Sequence, residues 1–320
     1  MIHSKFRGTF LQSYFASLVL LTLTFASPAN AQTARTHLRR SHSTRTAVLQ
    51  QCGKGVTLEL TTASTAQGGL LELTVRSEKP LGNLKGEWAG TELPVWDHDG
   101  NASHALLGVD LEKTPGKYEA AISADLPDGD RLACSATVHV SAGRFAIERL
   151  KVAPGFVELS PQDEARAAKE SEREHEIFTR VTPERLWTGR FRFPLAGKRT
   201  GHNFGRRRIL NGEPRSPHTG LDIPAPAGTP IHASQSGRVA LAENLFFSGN
   251  TVILDHGLGV YTLYGHMKMI KVKEGEPVEA GGVIGLVGST GRATGPHLHW
   301  GLVVDGARVN PLGIIRLPLR

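Results

Sequence analysis

Three short stretches in the last third of the sequence carry residues that could act together. His218-Thr219-Gly220-Leu221-Asp222 places an imidazole and a carboxylate four positions apart, and His297-Leu298-His299 places two imidazoles two apart. Tyr264-Gly265-His266-Met267 sets a further histidine at the end of an apolar run. A catalytic zinc site takes three protein ligands, histidine nitrogens and carboxylate oxygens among them, and keeps a fourth place open. On a β-strand, residues two and four apart share a face. Two such pairs on neighbouring strands would supply His, Asp and His, with one histidine to spare. A helix would also put His218 and Asp222 on one face, but Gly220, Pro224 and Pro226 argue against a helix. Each stretch alone is a weak signal. Their joint presence in one Gly-rich segment is a strong one.

The elements that must hold these residues are strands. From Phe191 onward the chain is β-rich, with candidates at Gly237 to Ala242, Thr251 to Asp255, Val260 to Tyr264, Val283 to Val287 and Leu298 to Val304, and turns at Gly257, Gly275 and Gly281-Gly282. Residues 48–142 form a second β-rich region. Val56-Thr57-Leu58-Glu59-Leu60 and Leu71-Glu72-Leu73-Thr74-Val75 alternate as half-buried strands do, and regular turns suggest a small β-sandwich of immunoglobulin-like type. Between the two, residues 143–190 form a connector with a helix over about 161–180. Ser160 is its cap, Pro161 its first turn, and Asp163 complements its positive end. That helix is Ala/Glu/Arg/Lys-rich, and its charges read as a solvated face.

The start of the chain reads as an address. Lys5 and Arg7 precede an apolar run over Leu18 to Phe25 and a small-x-small site at Ala29-Asn30-Ala31. The expectation is a signal peptide over 1–31, cleaved after Ala31, then a flexible lead-in over 32–47. The apolar run is short of the ~20 residues a membrane span needs, so no stable membrane insertion is expected once it is removed. The formal charge of +7 loses Lys5 and Arg7 on cleavage, and the +5 that remains favours an anionic surface such as a bacterial wall. Nucleic acid is an unsuited partner, because the basic residues are scattered and no binding module is present. The two cysteines, Cys52 and Cys134, are an even count in an exported chain and are expected to form a disulfide, two separate buried thiols being the alternative.

Residues from about 200 to 311 resemble the lysostaphin/LytM-type zinc metallopeptidases of bacterial cell walls. The resemblance rests on His218…Asp222 and His297-Leu298-His299. It extends to Pro226-Ala227-Gly228-Thr229-Pro230, Gly249-Asn250, Asp255-His256-Gly257, Tyr264-Gly265-His266 and Gly288-Ser289-Thr290-Gly291 through Gly295-Pro296-His297. Met267 stands where the family usually has Leu, and the stretch Arg206 to Pro217 is longer and more basic than the family minimum. The resemblance implies one zinc per chain held by His218, Asp222 and His299, with His266 and His297 as catalytic histidines that do not bind metal. It also implies a compact antiparallel β-fold of duplicated-hybrid-motif type with the site in an open groove.

The functional expectation is an exported zinc endopeptidase, periplasmic or extracellular, that hydrolyses peptide cross-links of peptidoglycan. The alternative is a wall-bound activator of a separate amidase without catalysis of its own. A regulatory protein partner is compatible with either and is not specified. Other residues take the plainer reading: His202 and His232 as surface or turn residues, His256 as structural, Arg206 to Arg208 as a basic loop, and Trp88 and Trp96 as packing.

Overall fold

The computed structural model describes residues 47–97, 102–151, 159–197 and 201–319. The signal-peptide reading of 1–31 and all but the last residue of the lead-in lie outside them. The chain is mainly β, and residues from Thr44 to Arg320 form one compact unit. None of the described helices is long and apolar enough to cross a membrane.

Residues 48–141 build two five-stranded sheets. In one, the order is Val48–Gly53, Val56–Leu60, Leu70–Ser77, Ala102–Gly108, Trp96–Asp97. In the other it is Ser64–Ala66, Arg131–Ser141, Gly116–Asp125, Gly82–Trp88, Thr91–Leu93. Leu58, Leu60, Leu73 and Leu107 of the first meet Trp88, Ile122 and Val138 of the second in a shared apolar core. A disulfide joins Cys52 to Cys134 across the two sheets, with Cα atoms 5.5 Å apart. Val56–Leu60 alternates buried and half-buried as the sequence predicts. Leu70–Ser77 does not, because its polar face is covered too. Glu72 is 7 % exposed and bonds to His104 Nδ1 at 3.0 Å. Trp96 stacks on that histidine and packs edge-on to Trp187. The polar side of the strand is therefore turned toward the rest of the molecule and away from water.

The helix Pro161–Thr179 begins as its sequence dictates, Ser160 accepting a bond from the Asp163 amide. Most of its length is exposed, as the sequence reading has it, but its thin apolar face is covered. Ile177 is buried with Leu241, Leu245, Ile253, Tyr261 and Val303, so the helix docks on the sheet that follows. Arg173 forks onto Glu243 at 2.7 Å, and Glu170 accepts the Phe246 amide at 2.6 Å. Ile177 supplies too little apolar periodicity for this face to show in the sequence.

The last third is an antiparallel sheet. Its path runs Gly220–Pro224, His297–Val304, Val260–Ile270, Gly249–Asp255, Gly237–Leu245, Pro277–Val278, with Pro230–His232, Val283–Val287 and Ala307–Val309 attached beside it. Every strand named from sequence in this region lies within an observed one. Leu70 and Leu106 of the first region share a buried cluster with Trp187, Phe191, Leu302, Val304 and Ile314.

An ion pair reinforces that contact. Arg308 Nη2 and Nε bond to the two Asp110 oxygens at 2.8 and 3.0 Å, and the Arg308 amide adds a third bond at 2.9 Å. Burial pushes the Asp110 carboxyl up, but these bonds outweigh it and leave its pKa below the ordinary 3.8. A depressed carboxylate stabilises the fold above its unfolded pKa and loses that contribution as pH falls through the folded value. Arg308→Met should therefore cost about 1–3 kcal/mol near neutral pH, toward the lower end because both groups are part-exposed. In thermal melts, the gap between wild type and variant should narrow as pH falls below 3.8.

Candidate metal centre and active site

Register brings the histidines together. Asp222 lies opposite His299, and His299 lies opposite Gly265, so the strand His297–Val304 runs between the other two. His218 sits just before Gly220–Pro224, and still faces Asp222. His218 Nε2, Asp222 Oδ1 and His299 Nδ1 form a triangle with 3.0 Å sides. These three side chains are the one group among the described residues able to hold a metal through at least three His, Cys, Asp or Glu ligands. Gly220 is needed there, since a Cβ would stand 2.8 Å from the His299 ring and 2.7 Å from the Trp300 carbonyl oxygen.

The donor set suits a metal. Ligand atoms on a tetrahedral zinc with bonds of about 2.0–2.1 Å stand roughly 3.3 Å apart, close to the sides of this triangle. His218 Nδ1 lies 3.1 Å from the Asn203 carbonyl oxygen. A carbonyl only accepts, so Nδ1 carries the proton and Nε2 turns a lone pair into the triangle. Asp222 Oδ2 accepts from Asn203 Nδ2 at 2.8 Å, leaving Oδ1 for the centre. Burial pushes the Asp222 carboxyl up, but the His218 and His299 rings beside it hold it far below the usual carboxylate range. Burial also depresses His299, against the pull of Asp222. Carboxylate and neutral imidazole are the forms that ligate metals.

His266 and His297 complete the cluster, their ring centroids 4.6 Å apart. His266 Nδ1 is 2.8 Å from the Thr290 carbonyl and His297 Nδ1 is 2.7 Å from the Gly295 carbonyl. Both rings thus donate from Nδ1 and keep Nε2 as an acceptor. His297 Nε2 is 3.6 Å from Asp222 Oδ1. Burial pushes His266 down to about 4, with the Thr290 carbonyl opposing. His266 also takes φ 61°, a left-handed conformation unusual for a non-glycine residue. Its amide bonds to the Ser248 carbonyl, so the turn after Gly237–Leu245 fixes the histidine.

The remaining candidates lie apart from this chemistry. His256 is fully buried and bonded to the Ser236 carbonyl and the Thr262 hydroxyl. His232 bonds to the Gly281 carbonyl, and His202 is exposed. Arg206 and Arg208 pair with Glu148, while Arg207 is exposed. Met267 is buried in the core. The sequence reading missed Asn203, which touches two members of the triangle, and the carbonyls of Thr290 and Gly295. A loop asparagine 15 residues before His218 carries no periodic signal that could have singled it out.

Residues 216–311 match Peptidase family M23. Over 123 residues the chain is 43 % identical to the peptidoglycan DD-endopeptidase ShyA of Vibrio cholerae, which is 38 % of this chain and 29 % of that protein. Over 97 residues it is 46 % identical to the DD-carboxypeptidase/endopeptidase Mpg of Neisseria meningitidis, 30 % of this chain and 22 % of that one. The match thus spans less than a third of either curated relative. A crystal structure of a putative peptidase M23 from Pseudomonas aeruginosa is similar over much more of the chain. It aligns with 78 % of this chain and 94 % of its own, at 30 % identity and a TM-score of 0.60. Since that likeness takes in nearly the whole of a solved relative, and the family match contains all five clustered site residues, the chain belongs to peptidase family M23.

Proposed function

We propose that this protein is an exported zinc-dependent endopeptidase that hydrolyses peptide cross-links in bacterial peptidoglycan. The carrying observation is the convergence of His218, Asp222 and His299 in a 3.0 Å triangle beside two histidines that keep Nε2 free. Relatives named as peptidoglycan DD-endopeptidases support the substrate, and a substrate outside the cytoplasm fits the signal-peptide reading of residues 1–31. In this reading residues 191–320 do the chemistry and residues 48–142 support them.

His218, Asp222 and His299 would hold the zinc, which when bound supplies a Lewis acid that polarises a carbonyl and acidifies water. The protein's own contribution is proton traffic. As water adds to the scissile carbonyl, its proton passes to a free imidazole Nε2, and then to the departing amine nitrogen as the C–N bond breaks. The partner imidazole, in its charged form, stabilises the developing oxyanion. The carbonyls of Thr290 and Gly295 hold both rings with Nε2 available.

Digestion of purified sacculi followed by mass spectrometry of the muropeptides tests this. Zinc-loaded protein should convert cross-linked muropeptides into uncross-linked peptides still attached to intact glycan. Untouched cross-links, with a separate amidase made more active by the protein, would establish the activator reading instead.

A further inference from the structure

We propose that Asn203 is the positioning residue of the metal centre, setting the geometry of two of its three ligands from a loop outside the sheet. The inference rests on the metal-site reading above and goes beyond it, to a residue in neither of the two ligand motifs.

Three of the bonds that Asn203 makes go to ligand residues, and a fourth, from the Arg206 amide to its carbonyl, closes its own turn. Its main-chain carbonyl accepts from His218 Nδ1 at 3.1 Å. Its side-chain Nδ2 donates to Asp222 Oδ2 at 2.8 Å, and its Oδ1 accepts from the Asp222 amide at 3.0 Å. The planar amide offers one acceptor and a donor side by side. Asp222 presents an amide N–H and a carboxylate oxygen, so the orientation of the Asn203 amide is determined by its partners. The first bond fixes which His218 nitrogen is left to ligate. The second occupies Oδ2 and leaves Oδ1 for the metal. Ligands held in this way lose less freedom on binding, and such outer partners typically contribute 10–100-fold in metal affinity.

The loop is itself fixed, as a positioning residue requires. The Gly205 amide bonds to the His218 carbonyl, and the His218 amide to the Arg206 carbonyl. Phe204, next to Asn203, is buried edge-on to Phe145. It also fills the space over Gly68, where a Cβ would come within 2.3 Å of its ring. On the other side, a Cβ on Gly201 would stand 2.3 Å from the Asp222 carbonyl oxygen. Asn203 is thus wedged between a buried aromatic and the ligand strand.

The test is the affinity of full-length metal-free protein for zinc, measured by competition with a chromophoric chelator. Wild type, Asn203→Leu, Asn203→Ala and His299→Ala are compared, with the cobalt(II) absorption spectrum as a second readout. Asn203→Leu keeps the bulk of the side chain and removes both of its bonds. It should raise the zinc dissociation constant about 10–100-fold and alter the cobalt bands, with metal-free melting close to wild type. Asn203→Ala should do the same, and if it does not fold Asn203→Leu decides. Wild-type affinity and an unchanged cobalt spectrum in Asn203→Leu would overturn the proposal while leaving the metal site standing. If wild type holds zinc no better than His299→Ala, the metal-site reading fails and takes this inference with it.

Discussion

His299→Ala protein should come out of purification without metal and without peptidase activity, while wild type carries about one zinc per chain. A catalytic site with three protein ligands has none to spare. Loss of one of them should weaken binding by well over the 10–100-fold that an outer partner contributes. Asp222→Ala should behave the same way, for a further reason. Asp222 is the only anionic member of the triangle, and its Oδ1 lies 3.0 Å from both His218 Nε2 and His299 Nδ1. Without it, two neutral imidazoles face each other with nothing to offset a divalent charge. His256→Ala is the control. That histidine is buried and bonded to Ser236 and Thr262, outside the cluster, so its loss should lower the melting temperature while zinc content stays near one. Elemental analysis and melting of the three variants separate these outcomes. Full activity in metal-free protein after chelation would show that the triangle is not a catalytic metal site.

How far this centre could be read from sequence follows from how its parts are encoded. His297 and His299 are two apart on one strand, so their shared face is a property of the strand and needs no tertiary information. The helix cap at Ser160 and Pro161 is local in the same sense. The pairing of His299 with Asp222 is a register between strands 77 residues apart in sequence. Spacing alone only allowed it, and the resemblance to a known family supplied it. Asn203 was illegible because it acts from a loop, through a carbonyl that any residue carries and an amide whose partners are set by tertiary structure. The docking of the helix through Ile177, and the covering of Glu72 by His104 and Trp96, failed to show for a related reason. In each, few apolar residues are involved, and the contact is made by elements distant in the chain.

His266→Ala and His297→Ala should each lower kcat by about 10²–10⁴-fold, the range a general acid or base contributes, while zinc content stays near one. The separation from the ligand variants is the point of the experiment. His266 Nδ1 is committed to the Thr290 carbonyl and His297 Nδ1 to the Gly295 carbonyl, and neither Nε2 belongs to the ligand triangle. For His266 the backbone provides a second check. Its φ of 61° is one that asparagine tolerates better than most residues. His266→Asn should therefore fold with stability close to wild type and bind zinc normally, yet be as slow as the alanine variant. A histidine retained for structure would give the reverse, a less stable protein with near-normal turnover. The Ser248 carbonyl holds His266 in that conformation through its amide, so the asparagine variant keeps the same backbone anchor. If His266→Ala loses zinc as completely as His299→Ala does, then His266 is a ligand, and the division between metal-holding and proton-moving histidines must be redrawn.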